Sequence, residues 1–218
     1  IEFLNMLEDF EPPAPQSPAQ IHLLAEVAKR VFADRAEYLG DPAFAEVPVD
    51  VLTDKDYARR RASGIDPARR TDPTTIEAGD IHVGASVDGQ TTHFSIVDRN
   101  GLAVSNTTTM NTGYGSGIVV DGAGFLLNSQ MNDFSAKPGV PNVYGVTGST
   151  ANEIAPGKRP LSSMTPTMVY SPAGDLIMVL GSPGGSTIIS TVLEVIVNVI
   201  DYGLPLAEAV DLPRFHHQ

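Results

Sequence analysis

Thr91-Thr92-His93-Phe94-Ser95-Ile96-Val97-Asp98, preceded by Asp88-Gly89-Gln90, decides how the rest of the chain is read. Two hydroxyl residues follow a flexible glycine, and then apolar and polar side chains alternate. Phe94 and Ile96 are expected to face inward, Ser95 and Asp98 outward. The alternation predicts a strand whose first residue sits at the mouth of a loop. Thr91 then has three readings: an ordinary strand residue, a turn cap, or an N-terminal nucleophile exposed by chain cleavage. A threonine hydroxyl is a weak nucleophile without an adjacent base. If the bond before it is cut, its own α-amine becomes that base. An α-amine with a reference pKa of roughly 7.7–8.0 has an appreciable neutral fraction at neutral pH.

Upstream, residues 66–90 combine Asp-Pro, Thr-Asp-Pro and glycines with few large apolar residues, the composition of an exposed linker. Such a segment can be excised or can reach into a site. Further upstream, Ser17-Pro18 is a helix entry, and Leu24, Val27, Ala28, Val31 and Phe32 recur at helical spacing as far as about Tyr38. Ile1 to Glu11 carries a short helical face. Arg59, Arg60 and Arg61 fall on a short helix after Asp54 and read as a solvated face.

Downstream, strands are predicted over 93–98, 102–109, 117–120 and 124–128, with a glycine-rich turn from Asn111 to Gly117. Residues 136–160 form a long irregular loop, and loops of that length in a compact domain are functional or disordered. Thr167–Ser171 and Leu176–Leu180 read as two strands about a turn. Thr187 to Tyr202 reads as a helix, with a second starting at Pro205.

The run Gly181-Ser182-Pro183-Gly184-Gly185-Ser186 joins a predicted strand to a predicted helix. Glycines let a backbone approach a ligand, and a helix start offers unpaired N–H groups, the elements of an oxyanion hole. A tight strand-to-helix turn with no ligand fits the same letters. No Gly-Lys-Ser/Thr follows, so the run is not a phosphate loop, and Pro183 takes the serine place of an esterase elbow.

Four stretches in order carry a resemblance: Thr91–Asp98; Asn128-Ser129-Gln130-Met131-Asn132-Asp133-Phe134 with Pro138-Gly139-Val140-Pro141-Asn142; Lys158-Arg159-Pro160-Leu161-Ser162-Ser163-Met164; and Gly181–Ser186. Together they resemble the γ-glutamyltranspeptidases. The resemblance implies an α+β fold, the four-layer αββα sandwich of N-terminal-nucleophile hydrolases. It implies that residues 1–90 end a large subunit and residues 91–218 begin a small catalytic one, the two forming a heterodimer from one precursor. The missing initiator Met at Ile1 and the abrupt end at Gln218 fit a piece of a longer protein.

Function follows from the same resemblance. Autocatalytic cleavage between Gln90 and Thr91 is expected to free Thr91, which then transfers or hydrolyses γ-glutamyl amides such as glutathione through a γ-glutamyl-threonine ester. Water, amino acids or peptides accept the acyl group. Thr109 assists the nucleophile, and Gly184 and Gly185 form the oxyanion hole. Asn111, Gln130 and Asp133 hold the substrate ammonium, while Ser162 and Ser163 donate to its carboxylate. The 138–149 loop resembles a lid with Tyr144 at its gate. The arginine that the family sets against the carboxylate is expected upstream of Ile1, with no arginine of this chain in its place. The alternatives are a related cephalosporin or glutaryl acylase and an unprocessed, non-catalytic homologue. The resemblance also implies a periplasmic or extracellular location.

Composition narrows the field. The chain has 218 residues, 42% hydrophobic and 18% charged, with a net charge of −12, which disfavours nucleic acid and anionic membrane as partners. It has no cysteine, hence no disulfide, thiolate metal site or Cys nucleophile. No cofactor or metal is expected, because the adjacent His216 and His217 would point apart on a strand. His93 reads as structural. No apolar run of transmembrane length occurs.

Overall fold

The computed structural model describes residues 1–78, 91–142 and 145–218. Among these are six helices: α1 (Glu2–Leu7), α2 (Pro18–Tyr38), α3 (Val49–Leu52), α4 (Lys55–Ala62), α5 (Ile188–Ile200) and α6 (Leu206–Asp211). Four strands join them: β1 (Thr91–Val97), β2 (Ala103–Thr109), β3 (Thr167–Tyr170) and β4 (Leu176–Leu180). Helices and antiparallel strand pairs make the class α+β, as expected. No described helix is long and apolar enough to cross a membrane.

Helix α2 is the central element. Ser17 caps it by accepting from the Gln20 N–H at 3.1 Å, and Pro18 occupies the first turn, where a missing N–H costs nothing. Its apolar stripe (Leu23, Leu24, Val27, Ala28, Phe32) is buried against Phe3 and Met6 of α1, Ala58 and Ala62 of α4, and Leu193 and Val197 of α5. Each fully buried large aliphatic side chain contributes roughly 1.5–3 kcal/mol, so this cluster ties the two ends of the chain together.

The polar flank of α2 is buried as well. Glu26 accepts from Lys29 Nζ at 2.5 Å, Arg30 Nη1 at 3.1 Å and the Thr71 N–H at 3.1 Å. Burial pushes its carboxyl up, and these donors outweigh burial to hold it at about 2. The arginine run departs from a solvated face at Arg61. That residue folds inward, with Nε 2.9 Å from Asp34 Oδ2, because Asp34 is fully buried and needs a countercharge. The expected linker is packed in its first half, where Ile76 and Ala78 bury against Ala33. Its remainder, 79–90, lies outside the described residues.

Strand β1 pairs antiparallel with β2 in a register that sets Thr91 opposite Thr109, His93 opposite Thr107 and Ser95 opposite Ser105. Strand β3 pairs with β4, Thr167 opposite Leu180, with a shift between Val169 and Tyr170. The pairs meet where Ser105 Oγ donates to the Leu180 carbonyl at 2.9 Å. The packed face of β1 is therefore the odd-numbered one. Phe94 and Ile96, expected inside, are 44% and 55% exposed, because β4 covers the opposite face. The strands predicted over 117–128 reduce to one bridge, Val119 with Leu126, and this hairpin keeps Ile118, Val119 and Phe125 exposed.

Candidate active site

Thr91 and Thr109 stand at the same end of the β1–β2 pair, Oγ1 to Oγ1 3.3 Å. That is longer than an ordinary O–H···O bond, so the contact orients more than it binds. Thr109 Oγ1 also accepts the Asn111 N–H at 2.9 Å. Asn111 has φ +77°, a left-handed conformation that asparagine tolerates, and it turns the chain out of β2. Its side-chain amide donates to the Ser129 carbonyl at 3.0 Å, fastening the turn to the segment that leads into Asp133.

Thr91, Thr109, Asn111, Asp133, Ser162, Ser163 and Gly185 line one cleft, together with Met164 and Ile188. Residues from five separated stretches of sequence thus converge within reach of one small ligand. Gln130 and Gly184 are not among the lining residues. Gln130 begins the 3-10 turn 130–133 that carries Asp133, and Gly184 precedes the lining Gly185. Gln90 and Tyr144 lie outside the described residues.

The glycine turn has the backbone its letters suggested. Gly184 adopts φ +130° and Gly185 φ +59°, both left-handed, before the 3-10 turn that runs into α5. Thr187 folds back on Gly184, its Oγ1 2.8 Å from the Gly184 carbonyl. The amide N–H groups of Gly184 and Gly185 make no hydrogen bond among the described residues.

Asp133 is half-buried, and its carboxyl has no hydrogen-bond partner among the described residues. Burial pushes it up to about 6, while the Arg35 charge pulls it back. Arg35, on the last turn of α2, is buried, and its Nη2 donates to Ser163 Oγ at 3.0 Å. Burial lowers Arg35 to about 10, so it stays a cation at neutral pH. Sequence reading set every arginine of this chain aside and missed Arg35. The one signal was its place in the last turn of a helix whose apolar stripe already pointed inward.

Two further residues went unnoticed. Asn152 is buried, with Nδ2 2.7 Å from the Asp133 carbonyl and Oδ1 3.0 Å from the Leu161 N–H. Asp41 grips Arg159 at Nη2 (2.7 Å), Nε (3.1 Å) and the backbone N–H (3.0 Å), holding the strap that bears Ser162 and Ser163. The 138–149 loop is anchored to the end of α2, where the Ser149 N–H and Oγ bond the Ala36 and Glu37 carbonyls at 3.0 and 2.6 Å.

His93 and His216 serve packing. His93 bonds Thr107 Oγ1 at 2.8 Å and Ser95 Oγ at 3.0 Å. His216 lies on irregular backbone, 2.9 Å from Ser190 Oγ and edge-on to the Phe32 ring.

The gamma-glutamyltranspeptidase family profile matches residues 1–218. The chain belongs to the gamma-glutamyltranspeptidase family. The Escherichia coli (strain K12) glutathione hydrolase proenzyme is 51% identical over 220 residues, covering 100% of this chain and 37% of its own length. The chain therefore spans little more than a third of that relative. Among solved structures, an acivicin-inhibited gamma-glutamyltranspeptidase superposes with a TM-score of 0.57 at 59% identity, over 58% of this chain and 67% of that one. A cephalosporin acylase from Bacillus halodurans superposes at 0.77 with 25% identity, over 99% of this chain and 36% of that one. The fold is that of the N-terminal-nucleophile hydrolases of the transpeptidase and acylase type.

Proposed function

We propose that the protein containing this chain hydrolyses or transfers γ-glutamyl amides, glutathione among them, using Thr91 as an N-terminal nucleophile. The observation that carries this is the convergence of Thr91 with Thr109, Asp133, Ser162, Ser163 and Gly185 on one cleft. Likeness to proteins named glutathione hydrolase supports the substrate class.

In the precursor, Thr91 Oγ1 attacks the Gln90 carbonyl carbon. The C–O bond forms, the C–N bond breaks, and the hydroxyl proton passes to the Thr91 nitrogen. Water cleaves the resulting ester, leaving Gln90 with a carboxylate and Thr91 with a free amine. Residues 1–90 then close the large subunit, and residues 91–218 open the small one.

In turnover, the Thr91 amine takes the hydroxyl proton as Oγ1 attacks the γ-carbonyl, and the leaving amine departs protonated. The Gly184 and Gly185 amides meet the oxyanion with two donors from fixed backbone. Asp133, assisted by Asn111 and Gln130, pairs with the α-ammonium, and Ser162 and Ser163 donate to the α-carboxylate. Water or the amine of an amino acid or peptide releases the ester. Export to the periplasm or the exterior belongs to the same reading.

The test is intact mass and N-terminal sequencing of the full-length protein after incubation at neutral pH. A new chain beginning Thr-Thr-His-Phe is expected, and Thr91→Ala should abolish it. A Thr91→Ala protein that still splits would sink the mechanism.

The cephalosporin acylase superposition favours a second reading, the same machinery with another acyl group. Turnover of γ-glutamyl-p-nitroanilide against glutaryl-p-nitroanilide separates the two, since only the first carries the ammonium that Asp133 would bind.

A further inference from the structure

Ser163 Oγ has one proton to give and two lone pairs, whereas an arginine side chain can only donate. With Arg35 Nη2 at 3.0 Å, Ser163 must accept there. Its own proton is left for another acceptor, and Ser163 lines the cleft that holds Thr91. Arg35 does not line that cleft. It lines an adjoining one behind it, together with Asp133, Asn152 and Ser163. Among the described residues lining the two clefts, Arg35 and Asp133 are the charged ones, so α2 supplies the countercharge that shares a cleft with Asp133.

We propose that Arg35 is a positioning residue for donor recognition: it fixes Ser163 as a hydrogen-bond donor toward the cleft and holds Asp133 in its anionic form. It acts through two residues that line the Thr91 cleft, which it does not line itself. A single buried cation thereby sets both ends of an amino-acid-shaped recognition site, a donor for the carboxylate and an anion for the ammonium. The inference rests on the γ-glutamyl reading above.

The charge and the hydrogen bond can be separated by substitution. Arg35→Met removes both, while Arg35→Lys keeps the charge and loses the guanidinium geometry. Ser163→Ala removes the partner. Full-length protein would be assayed as a function of pH with γ-glutamyl-p-nitroanilide and with γ-aminobutyryl-p-nitroanilide, which lacks the α-carboxylate.

Arg35→Met is expected to lower kcat/KM for the γ-glutamyl donor about tenfold or more, the size of one lost charge-assisted contact. It should also move the acidic limb of the profile to higher pH, since Asp133 then loses its countercharge. Arg35→Lys should leave the limb in place. With the carboxylate-free donor, Arg35→Lys should cost little, and adding Arg35→Lys to Ser163→Ala should cost little more with either donor.

An acidic limb unmoved by Arg35→Met overturns the proposal, as does a full additive loss on top of Ser163→Ala. Should Arg35→Met fail to fold, Arg35→Lys decides alone: a limb shifted by the lysine, which retains the charge, overturns it. A wild-type protein that splits before Thr91 yet does not turn over γ-glutamyl-p-nitroanilide overturns the functional reading and the Arg35 role with it. Turnover by the wild type with a limb unmoved by Arg35→Met overturns the Arg35 role alone.

Discussion

Asn152 holds Asp133 by its backbone: Nδ2 donates to the Asp133 carbonyl at 2.7 Å, while Oδ1 accepts from the Leu161 N–H at 3.0 Å. One buried amide thus sets the spacing between the acid and the strap that carries Ser162 and Ser163. Asn152→Ala strands a carbonyl and an N–H, each costing about 1–3 kcal/mol if it cannot reach water. Urea unfolding of the full-length protein should show a loss of about 2 kcal/mol or more. The donor KM should rise with kcat nearly unchanged, and an unaltered KM would mean that the spacing is held elsewhere.

Asp133 predicts an acidic limb. Burial raises its carboxyl to about 6, so the anion needed to pair with an ammonium is lost below that pH. kcat/KM for a γ-glutamyl donor should fall about tenfold per pH unit there. Stability runs the other way. The folded state binds this proton more tightly than the unfolded chain, so the group's contribution to stability is full below about 4 and is lost as pH rises towards 6. Asp133→Asn should remove the limb, whereas a limb that persists in that variant belongs to another group.

Gly181 faces the His93 ring so closely that an added Cβ would meet Cε1 and Nδ1 at 2.3 Å. The ring cannot swing aside without giving up Thr107 and Ser95, which hold its two nitrogens. Gly181→Ala should cost about 1–3 kcal/mol, as overpacking does. Adding His93→Ala should recover some of that in a double-mutant cycle of thermal melts. Simple additivity would place the strain elsewhere.

Thr109→Val keeps the shape of the side chain and deletes the acceptor shared by Thr91 Oγ1 and the Asn111 N–H. The time course of chain cleavage, followed by gel, should slow about tenfold, the equivalent of one lost hydrogen bond. Cleavage at the wild-type rate would leave Thr109 as a strand residue only.

Local rules reached far into this chain. Ser17-Pro18 and the apolar repeat placed α2, and alternation with turn letters found β1 to β4, because capping and periodicity act over a few positions. What local rules could not reach was set by partners distant in sequence. Arg35 meets Ser163, Arg61 meets Asp34 and Asp41 meets Arg159, each pairing made by the fold. The inward face of β1 was misjudged for a similar reason: alternation finds two faces, and only the neighbouring strand pair decides which is covered. The recognised motifs held Thr91, Asp133, Ser162, Ser163 and Gly185 of the cleft lining, whereas Arg35, Asp41 and Asn152 lie outside them.

Many of those aiming contacts cross from residues 1–78 to residues 91–218: Arg35 to Ser163, Asp41 to Arg159, the end of α2 to Ser149, Tyr202 to the Pro13 carbonyl, and α5 to the shared apolar cluster. A backbone break before Thr91 would therefore leave a pair of pieces that already grip one another at the cleft. The interface alone then holds the pieces together, without a covalent tether. Substrate preference is then heritable through either piece. Variation on α2, which lacks any residue that would touch the scissile bond, should retune which acyl groups are accepted.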